Sequence, residues 1–302
     1  MKIDKQNGNI AFCDSEHKYW DIKNPDKKYI SVTTLIHSYT QDFDSNFWSK
    51  YKALEKLIPK EAWNIEKKSL LASHIFNNEI LSIYNISEND FNKEVQNILD
   101  NWEREKTESC ERGTKIHAEL ENSFYKSGTR PNTLKKFGIG GKFDCKKNYT
   151  DLDLDKAVYP EYLIYRDSND GELHIAGQID VLIKNGNEIT IADWKSNKKI
   201  DLKSGFNTQT KSSAKMKYPL NTLDDCNYNH YQLQLSTYAW MLQKINSNFI
   251  IKDLILYHFD HKGNETLYHC DYLKKEVERM LVDYKRKQKH ELEKSKYKRI
   301  EY

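Results

Sequence analysis

Short apolar runs, separated by Asn, Pro and Asp, open the chain. IAFCD, HKYWDI and KYISV predict a small β region within the first forty residues. From Ser45 to about Trp102 the apolar spacing changes to the helical period, as in FWSKYKALEKL and FNKEVQNILDNW. Pro59 and the Asn-rich NNEILSIYNISEND divide this helical stretch into pieces. A separate short helix is predicted near Arg112 to Tyr125. From Pro131 to Asp155, Gly, Lys, Asn and Asp predict a loop or insertion.

The period then shortens to two. YLIYR, LHIAGQIDVLI and EITIADWK predict three strands, with SNDGE and KNGNE as turns between them. Turns that short make antiparallel neighbours. A polar, Lys-rich stretch covers Ser196 to about Asn227, and a helix is predicted from about Asn229 to Lys244. The strand NFIIKDLILYHFD and a charged helix from about Asp271 to Lys296 complete the chain. The helix before that last strand allows a crossover. The expected fold is α/β, a mixed central sheet flanked by helices, with a core of roughly 150 residues. The expected division is 1–105, a β-hairpin plus helical region that gates substrate, and 106–302, the core with its basic C-terminal helix.

Composition narrows the classes. A chain of 302 residues buries a core without help from disulfides or a structural metal. Aromatic content of 12% excludes a disordered chain. No run approaches the roughly 18 apolar residues of a membrane span, and MKIDKQNGNIAF lacks the apolar core of a secretion signal. Cys13, Cys110, Cys145, Cys226 and Cys270 are scattered and never form a CxxC pair, which argues against a disulfide framework or a Cys-rich metal site. The expectation is a soluble protein of the cytoplasm, with no membrane partner. A net charge of +3 does not by itself mark a nucleic-acid binder, so that reading has to rest on local features.

The local chemistry centres on two strands. In EITIADWKS, Ile189, Ile191, Asp193 and Lys195 share one face and Trp194 points to the other. One strand earlier, Asp180 interrupts an apolar run, and Gly177 lets another backbone come close. Asp-x-Lys occurs seven times in the chain, so Asp193 is singled out by the apolar strand leading into it and by Gly177-x-x-Asp180 one hairpin upstream. Two Asp on adjacent strands can converge on a hard divalent ion such as Mg²⁺ or Mn²⁺. They can equally pair with Lys195 in a salt bridge, since a buried charge must be compensated one way or the other.

Two helices add candidates. In RGTKIHAELENSFY, Ile116, Leu120 and Phe124 form an apolar stripe, and His117 and Glu121 form a second i, i+4 pair beside it. In YQLQLSTYAWML, Gln234 and Tyr238 stack in the same way. From Lys195 to Lys217 there are seven lysines, among them Lys198 and Lys199, against the single acid Asp201. That local excess suits phosphate contacts. KRKQKH and KSKYKR in the last helix are also basic, though a charge run is usually a solvated face. Tyr218, Tyr228 and Trp240 are candidates for base stacking, and each is equally a candidate for the core.

In this order, Gly113-Thr114-x-x-His117, Gly177-x-x-Asp180, Asp193-x-Lys195 and Gln234-x-x-x-Tyr238 resemble the PD-(D/E)XK nuclease superfamily. The likeness is to its RecB-like branch, and within that to phage exonucleases and mitochondrial genome maintenance exonucleases. It covers about Glu111 to Trp240, and HKYW…YISVTTLI resembles the opening of the same group. The resemblance implies a restriction-endonuclease-like core and a metal-dependent DNA exonuclease. Its partner would be DNA with free ends, single- or double-stranded, in phage replication, recombination or processing, alongside the phage proteins of those pathways.

Residue by residue, the resemblance implies metal ligation by His117, Asp180 and Asp193 with the Trp194 carbonyl, catalysis by Lys195 with the two Asp, and substrate positioning by Gln234 and Tyr238. Glu161 and Glu121 are weaker candidates, Glu161 for a second metal. Iron–sulfur members of the branch carry a Cys before the His and a C-terminal Cys cluster. Here only Cys226 and Cys270 follow Cys110, far apart, so no cluster is expected. The alternatives are a structure-specific endonuclease of the same fold, or an inactive nucleic-acid-binding module.

Overall fold

The computed structural model describes residues 3–126, 132–145, 152–168, 171–207 and 212–298. The chain divides into two compact units. One comprises Met1–Gln41, Lys115–Phe206 and Ser213–Tyr302; the other comprises Asp42–Thr114 and Asn207–Ser212.

The sheet unit begins with β1 (Lys5–Asn7), β2 (Ile10–Cys13), β3 (Lys18–Asp21) and β4 (Lys28–Ser31), each antiparallel to the one before. Ser31 then caps α1 (Val32–His37), its hydroxyl accepting from Thr34 N–H at 3.0 Å. In the second unit, α2 (Ser45–Leu57), α3 (Lys60–Ser73), α4 (Glu79–Ile83) and the first part of α5 (Glu88–Lys126) follow. Pro59 stands at the start of α3, as its missing N–H and fixed φ favour. Phe47, Leu54, Trp63, Leu70, Ile80, Phe91 and Ile98 form that unit's core. Burying each such side chain stabilises by about 2 kcal/mol.

Helix α5 runs unbroken from Glu88 to Lys126, so the short helix expected near Arg112 is the end of a 39-residue one. Gly113 does not stop it. The expected loop from Pro131 contains α6 (Asn132–Lys136), and Asp144 bridges to Ala157 by backbone hydrogen bonds of 2.9 and 2.8 Å. Residues 146–151 of that stretch lie outside the described residues.

The central strands match their expected positions. They are β5 (Lys156–Asp167), β6 (His174–Asn185) and β7 (Glu188–Lys195), antiparallel in turn. After β8 (Phe206–Asn207) and β9 (Ser212–Ser213), helix α7 (Asn227–Ile245) crosses over to β10 (Ile250–Phe259), which lies parallel to β7. An edge strand that the pattern did not predict, β11 (Glu265–His269), pairs with β10. The last helix, α8, spans Lys274–Lys298. The result is an α/β unit whose mixed central sheet runs β1-β2-β3-β4-β6-β7-β10-β11, with β5 on β6. Helices α1, α7 and α8 bury one face (Leu35, Leu233, Met241, Met280), and the end of α5 with α6 buries the other (Phe124, Leu134).

The units differ from the expected boundary at 105. Residues 5–31 belong to the sheet because β4 pairs parallel with β6, at Ile30↔Ile175 and Ser31↔Ala176. Strands β4 and β7 therefore share one edge of β6. β4 approaches from one end as far as Ala176, and β7 from the other as far as Val181↔Ala192. The carboxyl ends of both strands point into the split at Gly177–Asp180.

Candidate metal and carboxylate centre

Three carboxylates line up across that split. The β5–β6 ladder pairs Pro160 with Val181 and Tyr162 with Ile179, which sets Glu161 opposite Asp180. The β6–β7 ladder ends at Val181↔Ala192, which sets Asp180 opposite Asp193. Face alternation resets here on both β5 and β6. Ala157, Tyr159, Tyr162 and Ile164 all join the α7-side core, as do Ile175, Ile179 and Leu182. The skipped residue on β5 is accommodated by Glu161 itself, whose φ of 52° is rare for a side chain larger than Asn. Such a conformation costs energy and is held only by its surroundings.

Helix α5 brings His117 to this row. Its Nδ1 lies 3.5 Å from Glu161 Oε1 and 3.6 Å from Asp180 Oδ2. Its Nε2 lies 3.1 Å from the Trp194 carbonyl, which can only accept. Nε2 therefore carries a proton in either protonation state of the ring, and Nδ1 faces the carboxylates. Ligand atoms of His117, Glu161 and Asp180 all lie within 4.8 Å of one another. The buried Glu161 Oε1 makes no hydrogen bond. A buried carboxylate oxygen facing an imidazole nitrogen at 3.5 Å, with a second carboxylate beside both, fits a divalent cation.

Asp193 and Lys195 form the other half. Lys195 Nζ lies 2.6 Å from Asp193 Oδ2 and 4.6 Å from the centre of the Tyr231 ring, and it donates to Gln234 Oε1 at 3.5 Å. Gln234 Nε2 donates to Asp193 Oδ1 and to the Tyr238 hydroxyl, each at 3.3 Å. Ten consecutive or near-consecutive positions of α7 are buried, so its polar groups must find partners inside. Gln232 and Ser236 spend theirs on the backbone at Asp271 and Leu273, whereas Gln234 serves Asp193.

The electrostatics follow from crowding. Burial pushes the Asp193 carboxyl up to about 6; Lys195 opposes this and Asp180 adds to it. Asp180 is also raised, first by burial and then by Glu161, against the pull of His117 and Lys195. Burial alone would lower His117, but Asp180 and Glu161 outweigh it and push the imidazole up to about 9. Burial likewise works against the Lys195 ammonium, and Asp193 and Asp180 hold it above its usual range. Three carboxylates and three cationic partners, His117, Lys195 and Lys5, are thus crowded into one buried row.

The expected residues fall into place unevenly. His117, Asp180, Asp193, Lys195, Gln234 and Tyr238 come together. Glu161 joins them, and the grouped ligand atoms are those of His117, Glu161 and Asp180, with Asp193 held by Lys195. The Trp194 carbonyl is engaged by His117, and the Trp194 N–H donates to Asp180 Oδ2 at 2.8 Å. Glu121 accepts from the Tyr125 hydroxyl at 3.1 Å and is not in the group. Gly177 makes room for a side chain rather than for backbone: a Cβ there would lie 2.6 Å from the Tyr238 ring.

The lysine stretch is less free than its sequence suggested. Lys195, Lys199 and Lys215 pair with Asp193, Asp201 and Asp224, and Lys211 lies outside the described residues. Lys198 is engaged as well. In α8, Arg286 and Lys287 both pair with Asp283. Among the stacking candidates, Tyr218 is exposed, Tyr228 donates to the His269 carbonyl, and Trp240 lies beneath Lys244.

Two residues escaped the sequence reading. Tyr231 was visible in principle, since Tyr231, Gln234 and Tyr238 share a helical face. Lys5, whose Nζ reaches Glu161 Oε2 at 3.2 Å, sits 156 residues away, and no spacing announces it.

No family model matches the chain, and no curated protein matches it in sequence. Among solved structures, one described as "Crystal structure of SSO0001" is similar at 15% identity and a TM-score of 0.32, over 84% of this chain and 74% of that one. At that score the likeness carries no argument. Among the described residues, no helix is long and apolar enough to cross a membrane.

Proposed function

We propose that the chain is a divalent-metal-dependent deoxyribonuclease that hydrolyses phosphodiester bonds from DNA ends. The observation that supports this best is the carboxylate row across the sheet split, with His117 at one side and the Asp193–Lys195 pair at the other. His117 Nδ1, Glu161 and Asp180 would hold the ion, and an oxygen-rich set of this kind suits Mg²⁺ or Mn²⁺. When bound, such an ion polarises the phosphate and makes a water more acidic.

The chain's own groups supply the rest. Asp193 keeps Lys195 protonated, so the ammonium orients the attacking water and stabilises the charge that grows on the phosphate. Gln234 fixes the Asp193 carboxylate, and Tyr238 fixes Gln234. The Trp194 carbonyl holds His117 in the tautomer that leaves Nδ1 free to ligate. The order of motifs around these residues resembles RecB-like exonucleases, which favours action on ends over internal cleavage. A restriction-endonuclease-like core and a cytoplasmic setting, that of a host cell for a phage gene, belong to the same reading.

The test is incubation with linear single-stranded, linear double-stranded and closed circular DNA, with Mg²⁺ or Mn²⁺. Digestion of linear but not circular DNA, lost in Lys195→Ala, is the expected result. Cleavage of the circle would replace the exonuclease by an endonuclease. No metal-dependent cleavage of any substrate would sink the enzymatic reading.

A further inference from the structure

Strand β1 lies along β5 without joining its ladder. Lys5 Nζ donates to Glu161 Oε2 at 3.2 Å, and the buried Asn7 donates to the Leu163 carbonyl at 2.7 Å. Both contacts span 156 residues, so β1 and β5 run in step over this interval. Lys5 and Asn7 are two apart on a strand and therefore share a face. Asn7 anchors β1, and Lys5 is delivered to Glu161 by that anchor.

The two oxygens of Glu161 consequently serve different partners. Oε1 faces His117 and Asp180, where the ligand atoms converge, and Oε2 faces an ammonium. The Glu161 carboxylate is only 6% exposed, so that ammonium is poorly screened by solvent. The row Glu161–Asp180–Asp193 thus has a lysine at each end, Lys5 on Glu161 and Lys195 on Asp193. Once a divalent ion takes the place of the proton on His117 Nδ1, the ion, three carboxylates and two ammonium groups sum to a single positive charge, which suits a phosphodiester. A second ion would have to displace Lys5 from Oε2 or stand against it as a like charge.

From this geometry we infer that Lys5 takes the place of a second metal ion, so that the centre binds one divalent cation per chain. Lys5 is then a positioning residue for Glu161 and the fixed positive charge on the β5 side of the phosphate. This rests on the metal-dependent reading above.

The experiment counts ions rather than turnover. Mn²⁺ is titrated into the full-length chain, free Mn²⁺ is followed by its electron paramagnetic resonance signal, and the wild type is compared with Lys5→Met and Lys5→Arg. Lys5→Met keeps the length of the side chain and removes its charge at a partly exposed position. Thermal melting checks that each variant is folded. One ion in the wild type, two in Lys5→Met and one again in Lys5→Arg is the expected pattern. Two ions in the wild type, or one in folded Lys5→Met, would overturn the role of Lys5 while leaving the metal centre standing. No Mn²⁺ bound by the wild type would overturn the centre and, with it, this inference.

Discussion

Two buried carboxylate clusters in the sheet unit have opposite characters. Asp283 on α8 is 4% exposed and is fully served. The Tyr39 hydroxyl donates to it at 3.0 Å, Arg286 at 2.6 Å, and Lys287 pairs with it at 2.8 Å. Burial works to raise its pKa, yet Lys287, Tyr39 and Arg286 hold it below the usual carboxylate range. Asp193 is 2% exposed and has a lysine at 2.6 Å, but burial pushes its carboxyl up, and Asp180 beside it adds to this. An ion pair is common to both. What separates them is company: Asp283 has three donors to itself, whereas Asp193 is buried in a row with two further carboxylates, Asp180 and Glu161.

The sharpest way to break this comparison is to remove one carboxylate from the row. Asp180→Asn should lower the proposed nuclease activity by about 10³-fold, about 4 kcal/mol of barrier, while the metal-free protein melts no lower than wild type because a buried repulsion is gone. Loss of folding in Asp180→Asn would show that the row is structural. Metal addition is the next largest effect. Mn²⁺ at about 100 times its dissociation constant should stabilise wild type by about 2.7 kcal/mol, and Asp180→Asn by much less, read from calorimetric melting. Equal stabilisation of the two would place the ion elsewhere.

A change of shape without charge comes third. Gly177→Ala sets a Cβ against the Tyr238 ring and should cost about 2 kcal/mol through overpacking. The double variant with Tyr238→Leu should recover most of that in urea unfolding. A single variant as stable as wild type would mean that Tyr238 is not held there.

The smallest effect belongs to the satisfied cluster. Asp283→Asn should cost about 1.5 kcal/mol at neutral pH. Because the folded pKa of Asp283 is depressed, its contribution is complete above the unfolded value of about 3.9 and fades as pH falls through the folded one. Urea titrations of wild type and variant should therefore differ at pH 6 and converge below about pH 4. A gap that stays constant with pH would contradict the assignment.

Much of this arrangement could be read from local pattern. Strands β5 to β7 and helix α7 stand where the pattern puts them, and the faces of β7 fall as alternation requires, with Ile189 and Ile191 on the α7 side and Trp194 opposite. The misses have physical causes. From Glu103 to Glu111 helix α5 is exposed at every position, so no apolar stripe marks its continuity. It is supported there by pairs such as Lys106–Glu103 and Arg104–Glu108. Strand β11 is half-exposed at a sheet edge and too short to alternate clearly. At the site, Asp180, Asp193 and Lys195 are announced by charges inside apolar strands. Glu161 gains its place through an irregular backbone, and Lys5 through β1, neither of which a periodic pattern encodes.

The step-for-step run of β1 beside β5 also has a consequence in time. The chain emerges from the ribosome amino end first, at about 5–20 residues per second. Lys5 is made 156 residues before the glutamate it will hold, and so waits on the order of ten seconds for it. The first hairpin, β1 to β3, can close early on local contacts, whereas its seat on the sheet waits for β5 and β6. A nascent chain stopped short of β5 would present its hairpin with neither the ammonium's partner nor the carboxylates of β5 and β6. The carboxylate row is therefore completed only once β7 has been made.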